Sequence, residues 1–205
     1  MAYKTVSRPA AAEFTEQRSR FLSFLFPVSS EAEAAVLLQA HRQKYWDARH
    51  NVYAYRIAKG NIARFSDDGE PHSTAGKPTL DVLTGADLHN CLLITTRYFG
   101  GILLGTGGLV RAYTAAARLA VEQADIVAVR ECVKFRLDIR YALFDKLAAF
   151  LAARQVKILH TDFFEHVQLQ ILLPAEEEAA FCAALQEAFF DEIRPQLIER
   201  CNTAF

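Results

Sequence analysis

The sequence predicts an α+β protein of two domains, and three observations carry that prediction. Apolar residues alternate with period two in some segments and recur at helical spacing in others, so strands and helices both occur. All nine glycines fall between Gly60 and Gly108, which confines special backbone geometry to one middle stretch. From Cys132 onward the order becomes strand, helix, strand, strand, helix, strand. That β-α-β-β-α-β order is the ferredoxin-like arrangement, in which two helices pack on one face of an antiparallel sheet. With 205 residues, 52% of them hydrophobic, the chain has the length for two small domains and the apolar content for a core in each. The boundary is expected near Glu131, giving domains of residues 1–130 and 131–205.

Extended segments are expected at residues 3–6, 13–17 and 20–27. A helix over residues 31–45 follows, because Ser30 and Glu33 stand at capping-box spacing and Ala34, Leu37, Leu38, His41 and Tyr45 share one face. Residues 51–58, rich in Tyr and Val, read as a strand, and the polar stretch 65–72 reads as a turn region. A second helix starts after Ser73 or Thr74, with Pro78 tolerated in its first turn, where amides lack helical partners anyway. Residues 91–99 form a near-continuous apolar run, the signature of a strand covered on both faces. The glycine-rich stretch 100–108 then leads into a long helix over residues 109–123. Its expected buried stripe is Leu109, Ala112, Tyr113, Ala116 and Ala120.

In the second domain Val133, Phe135, Leu137 and Ile139 alternate with charged residues, a half-buried strand. Phe144, Leu147, Ala148 and Leu151 mark a helix, residues 156–163 and 165–173 two strands, and Phe181, Ala184, Leu185 and Ala188 another helix. Residues 192–201 close the domain as a strand that Pro195 places at a sheet edge or a bulge.

Charge narrows the function. The chain carries 23 Lys+Arg against 24 Asp+Glu, which excludes a polybasic nucleic-acid binder and an acidic disordered chain. Residues 1–130 hold 15 basic and 12 acidic residues, net +3, and residues 131–205 hold 8 and 12, net −4. The apolar run at 21–28 is far short of a membrane span, and residues 1–10 lack the hydrophobic stretch of a signal peptide. The four cysteines, Cys91, Cys132, Cys182 and Cys201, form no C-x-x-C pair and read as reduced thiols. A cytoplasmic protein without a membrane partner is therefore expected.

Three stretches can carry chemistry. Asp67, Asp68, Glu70 and His72 lie within six residues, a set able to hold a divalent cation or to supply acid and base groups. Asp-Asp-Gly at 67–69 is equally plain turn chemistry, and it does not follow the EF-hand loop pattern. Gly76 and Lys77 stand at a helix start, where amides receive an anion or simply begin a capped helix. Gly100, Gly101, Gly105, Gly107 and Gly108 join a buried strand to a helix, the position of phosphate-cradling loops. Neither the P-loop nor the dinucleotide pattern fits them, so bare-amide anion binding and close backbone packing both stay open. Arg97 and Arg111 flank this loop and are the cations expected to contact an anion. Arg118 reads as a solvated partner of Glu122 at i+4. No nucleophile, metal site or cofactor is expected, and no catalytic residue is assigned.

The segments 65–78 (FSDDGEPHSTAGKP) and 97–113 (RYFGGILLGTGGLVRAY) resemble the signature of the YigZ/IMPACT family. Ser19-Arg20-Phe21 and Asp47-Ala48-Arg49-His50 are similar to that family as well. The resemblance implies an N-terminal split β-α-β sheet, also found in a ribosomal small-subunit protein domain and in GHMP kinases. It also implies a ferredoxin-like C-terminal domain similar to late domains of elongation factor G. It further implies translation regulation, since the eukaryotic relatives control translation initiation by binding a protein partner. The expected function is thus a non-enzymatic binding protein. It would contact ribosome, RNA or a translation-related protein through one surface containing Arg97, Tyr98, the five loop glycines, Arg111, Asp67, Asp68, Glu70, Gly76 and Lys77. The alternative is an enzyme acting on a phosphorylated or nucleotide ligand at the glycine-rich loop.

Overall fold

The computed structural model describes residues 2–204. Contacts divide the chain into two compact units, Tyr3–Val127 and a second that begins at Ala128.

In the first unit strands β2 (Ala10–Glu16), β3 (Ser19–Pro27), β4 (His50–Ile57), β5 (Ile62–Ser66) and β6 (Cys91–Tyr98) form one sheet in the order β2-β3-β6-β4-β5. Strand β1 (Tyr3–Val6) joins this unit through a backbone hydrogen bond from His89 to Lys4, 2.8 Å. Both β3 and β4 run antiparallel to β6 between them, so β3, helix α1 (Glu31–Lys44) and β4 make a β-α-β crossover split by one strand. This is the split sheet that the family resemblance implies.

Helix α1 covers one face of the sheet, while α2 (Gly76–Gly85) and α3 (Gly105–Glu122) cover the other. Strand β6 shows why its sequence reads as one apolar run. Leu92 and Ile94 pack with Val28, Ala34 and Ile57 on the α1 side. Cys91 and Leu93 pack with Leu25, Leu83 and Ala117 on the other. A central strand covered on both faces has no solvent side on which polar residues could alternate. Burial pushes the Cys91 thiol up to about 12, so it serves as a core group.

The α1 cap matches half of a capping box. The Glu33 amide donates to Ser30 Oγ at 3.2 Å, but the Glu33 carboxylate reaches one residue further back, accepting from the Ser29 amide at 2.7 Å. Ser30→Ala is expected to lower stability by about 1 kcal/mol with an unchanged urea m-value, because one first-turn amide loses its acceptor.

Three local expectations are corrected. Helix α3 begins at Gly105, not Leu109, so the last loop glycines belong to its first turn. Strand β5 was not expected, since its Arg64 and the flanking turn residues mask a short edge strand. Arg118 and Glu122 form no ion pair and instead sit side by side along a shallow cavity beside α2. The stripe Leu109, Ala112, Tyr113, Ala116 and Ala120 is buried as expected.

The second unit contains β7 (Ile126–Ile139, which begins just before it), α4 (Phe144–Ala153), β8 (Lys157–Phe163), β9 (Val167–Pro174), α5 (Glu178–Phe189) and β10 (Gln196–Ala204). Its strands are antiparallel in the order β10-β7-β9-β8, the ferredoxin-like order. Val133, Phe135, Leu137 and Ile139 face Leu147, Leu151, Phe181 and Leu185 in a single core. Pro195 precedes β10, which breaks register between Leu197 and Glu199.

Candidate functional site

The alternation that sends Cys91 and Leu93 toward α2 and α3 also places Arg97, at the end of β6, on that face. Arg97 is 6% exposed and its Nη1 donates to Glu70 Oε1 at 2.8 Å. Tyr113, from the buried stripe of α3, donates its hydroxyl to the same oxygen at 2.8 Å. Burial and the Glu70 charge hold the Tyr113 hydroxyl well above its ordinary pKa. The guanidinium lies 5.6 Å from the Phe21 ring and 5.7 Å from the Phe99 ring, so its faces meet aromatic surface. Its Nε is buried and has no hydrogen-bond partner.

Beside this cluster opens a cavity of about 400 Å³. Its polar side is Arg49, His50, Glu70 and Arg97, and its apolar side includes Phe99, Leu103 and Leu109. Gly105 and Thr106, the opening residues of α3, complete it. Gly105 has φ +68°, a left-handed conformation that lets the loop turn into the helix. His50 Nδ1 donates to the carbonyl of Asp68 at 2.8 Å, which fixes the ring orientation.

The acidic loop does structural work. Asp67 accepts from the amides of Ser73, Ala75 and Gly76 at 2.8, 3.0 and 2.8 Å, so it caps α2 from nine residues upstream of that helix. Asp68 accepts from Arg42 Nη2 and the Asn51 amide, both at 2.6 Å, tying the loop to α1 and β4. Among the described residues no three His, Cys, Asp or Glu side chains converge to hold a metal ion.

The structure brings Glu70, Arg97 and Gly105 together and places the other sequence candidates elsewhere. Tyr98 is on the α1 side of β6, donating to Asp47 Oδ1 at 2.9 Å. Lys77 is exposed and pairs with Asp81. Arg111 and Gly108 line a separate cavity of about 190 Å³ with Glu16 and Gln17. Gly107 lies in the first turn of α3, and Gly101 in the loop before it. Gly100 packs against the β2–β3 turn so closely that a Cβ would stand 2.1 Å from the Arg18 carbonyl carbon. Close packing therefore accounts for Gly100.

Arg49, His50, Phe99, Leu103 and Tyr113 are the cavity and cluster residues that were not among the site candidates, although all five lie in the segments that carry the family resemblance. Two signals in the sequence point to the cluster that Arg97 and Tyr113 form. Period-two alternation puts Arg97 on the α3 face, and a buried tyrosine hydroxyl needs a partner.

Behind β6 a second polar network is buried. Thr96 Oγ1 donates to Asn51 Oδ1 at 2.7 Å and lies 2.7 Å from His41 Nε2. Burial, assisted by the nearby Lys44 charge, pushes His41 down to about 4.

Comparison with known proteins places this architecture. Residues 17–121 match the Impact N-terminal domain, and residues 137–189 match a domain of unknown function (DUF1949). The IMPACT family member in pol 5'region of Thermus thermophilus is 39% identical over 166 residues, 81% of this chain and 90% of that protein. The IMPACT family member YigZ of Escherichia coli (strain K12) is 34% identical over 174 residues, 83% and 85% of the two chains. A solved structure described as the crystal structure of an hypothetical protein is 31% identical, covers 97% of this chain and 98% of its own, and superposes with a TM-score of 0.63. A split-sheet unit joined to a ferredoxin-like unit, with both signature segments in the first, makes this chain a member of the IMPACT family.

Proposed function

We propose that the protein is a non-enzymatic binding protein of translation control that contacts ribosome, RNA or a translation-related protein through the surface around the Arg97 cavity. The observation that supports this reading most is an exposed apolar ridge beside buried positive charge. Phe99 is 55% and Leu103 86% exposed, next to Arg49 and the mouth of the cavity. Large apolar side chains held in water next to a cationic site are a feature of docking surfaces. The translation context follows from the family, whose resemblance implies regulators of initiation. An enzyme at the glycine-rich loop has less support, because Asp67, Asp68 and Glu70, the acid and base candidates beside it, are all engaged in structural contacts. No helix among the described residues is long and apolar enough to cross a membrane.

The test is sedimentation with ribosomes at about 50 and 200 mM salt, the range over which phosphate contacts weaken steeply. Wild-type protein is expected to co-migrate at low salt, and the Arg49→Glu/Leu103→Asp double variant to stay at the top of the gradient. Free protein at both salts overturns the ribosomal reading, and undiminished co-migration of the variant overturns the surface.

A further inference from the structure

From the same cavity, and independently of any macromolecular partner, we infer a binding site for a small anion with an apolar body: a carboxylate or phosphate monoester carried on an aromatic or branched aliphatic group. Arg97 supplies the first observation. Glu70 holds Nη1, and the rings of Phe21 and Phe99 flank the guanidinium, so the group is fixed in place. Its Nε nevertheless has no acceptor. Buried donors in native proteins are nearly always paired, so an orphan N–H on a residue that lines a cavity marks where an acceptor belongs. Helix α3 supplies the second. It runs 18 residues, opens at the cavity with Gly105 and Thr106, and has neither a side-chain cap nor an acid in its first turn. The first two residues of its positive dipole end, Gly105 and Thr106, therefore border the same space.

Charge and shape define the ligand. Arg49 and Arg97 against Glu70 leave one net positive charge at the cavity, which suits a single anionic group. Phe99, Leu103 and Leu109 form a wall that a hydrated inorganic ion would leave unused. A volume of about 400 Å³ falls within the range of small-molecule sites. Lys77 and Arg111, placed elsewhere, take no part.

The test uses the full chain with phenyl phosphate, phenylacetate, inorganic phosphate and the neutral benzyl alcohol. It reads the arginine Nε–H resonances by nitrogen-15 NMR alongside thermal shift. Phenyl phosphate or phenylacetate is expected to move the Arg97 Nε–H resonance and raise Tm, with a dissociation constant of about 1 mM or tighter, the scale for ligands of this size. The relative response to these two probes tells a phosphate ester from a carboxylate. Arg97→Lys, which keeps a charge for Glu70 but removes Nε, and Arg49→Gln, which leaves the buried cluster intact, should each weaken binding about tenfold or more. Lys77→Gln and Arg111→Gln should leave it unchanged. An Arg97 Nε–H resonance that no anion moves at about 10 mM overturns the site. Equal binding of benzyl alcohol overturns the anion, and equal binding of inorganic phosphate overturns the apolar body.

Discussion

Replacing Glu70 with alanine is expected to destabilise the protein by about 3–5 kcal/mol, the usual cost of leaving a buried charge without its partner. Glu70 Oε1 accepts from both Arg97 and Tyr113, and the side chains of Glu70 and Arg97 are 4% and 7% exposed. Truncation removes the countercharge and strands two buried donors at once. Glu70→Gln keeps an acceptor oxygen for Tyr113 but not the charge, so its cost should fall between those of wild type and alanine. Removing both ends of the pair tells a different story. In Glu70→Leu/Arg97→Met no buried charge remains, and the double variant should be more stable than Glu70→Ala, because apolar replacement of an ion pair is often close to neutral. Urea unfolding of wild type, Glu70→Leu, Arg97→Met and the double variant closes the cycle that gives the coupling energy. A cost below about 1 kcal/mol for Glu70→Ala would mean that the pair behaves as a solvated surface bridge.

How much of this was legible in the sequence depends on the range of the interactions. Local periodicity was enough for β7, for the stripe on α3 and for the succession of strands and helices in the second unit, because each rests on neighbours a few residues apart. Strand β5 escaped because a five-residue edge strand with one face exposed has little pattern to show. The site is built from longer reach. Glu70 meets Arg97 across 27 positions and Tyr113 across 43, and no spacing rule links an acidic turn to a tyrosine three elements later. The glycines misled for a related reason. Gly100 answers to the Arg18 backbone 82 positions earlier, so what looked like a phosphate loop is in part a close approach of two turns. Only Gly105, at the start of α3, lies on the cavity.

The network on the opposite face of β6 predicts the pH dependence of stability. Since the Thr96 hydroxyl donates its one proton to Asn51, the hydrogen shared with His41 must come from the ring, which makes His41 the neutral Nε2–H tautomer. A second proton would charge an imidazole that is 5% exposed and in contact with Phe24 and Tyr45, and burial accordingly lowers its pKa from 6.5 to about 4. The unfolded chain keeps the ordinary value, so between about 6.5 and 4 it binds more protons than the folded protein, and stability must fall as pH falls. His41 therefore contributes its full share above pH 6.5 and loses it progressively toward pH 4, below which both states are protonated and the loss levels off. At about 1.4 kcal/mol per unit, the window holds about 3 kcal/mol. Carboxylates titrate at the lower end of the same range, so the measurement is the difference between wild type and His41→Gln in urea unfolding at pH 4.5, 5.5, 6.5 and 7.5. Glutamine offers Thr96 an N–H in place of Nε2 but cannot take up a proton. Its stability should fall less steeply, by close to one proton per molecule between pH 4.5 and 6. Parallel curves for the two proteins would show that His41 is charged, or solvated, in the folded state. A charged His41 would still donate from Nε2 to Thr96, so the hydrogen bonds joining α1, β6 and β4 would keep their direction.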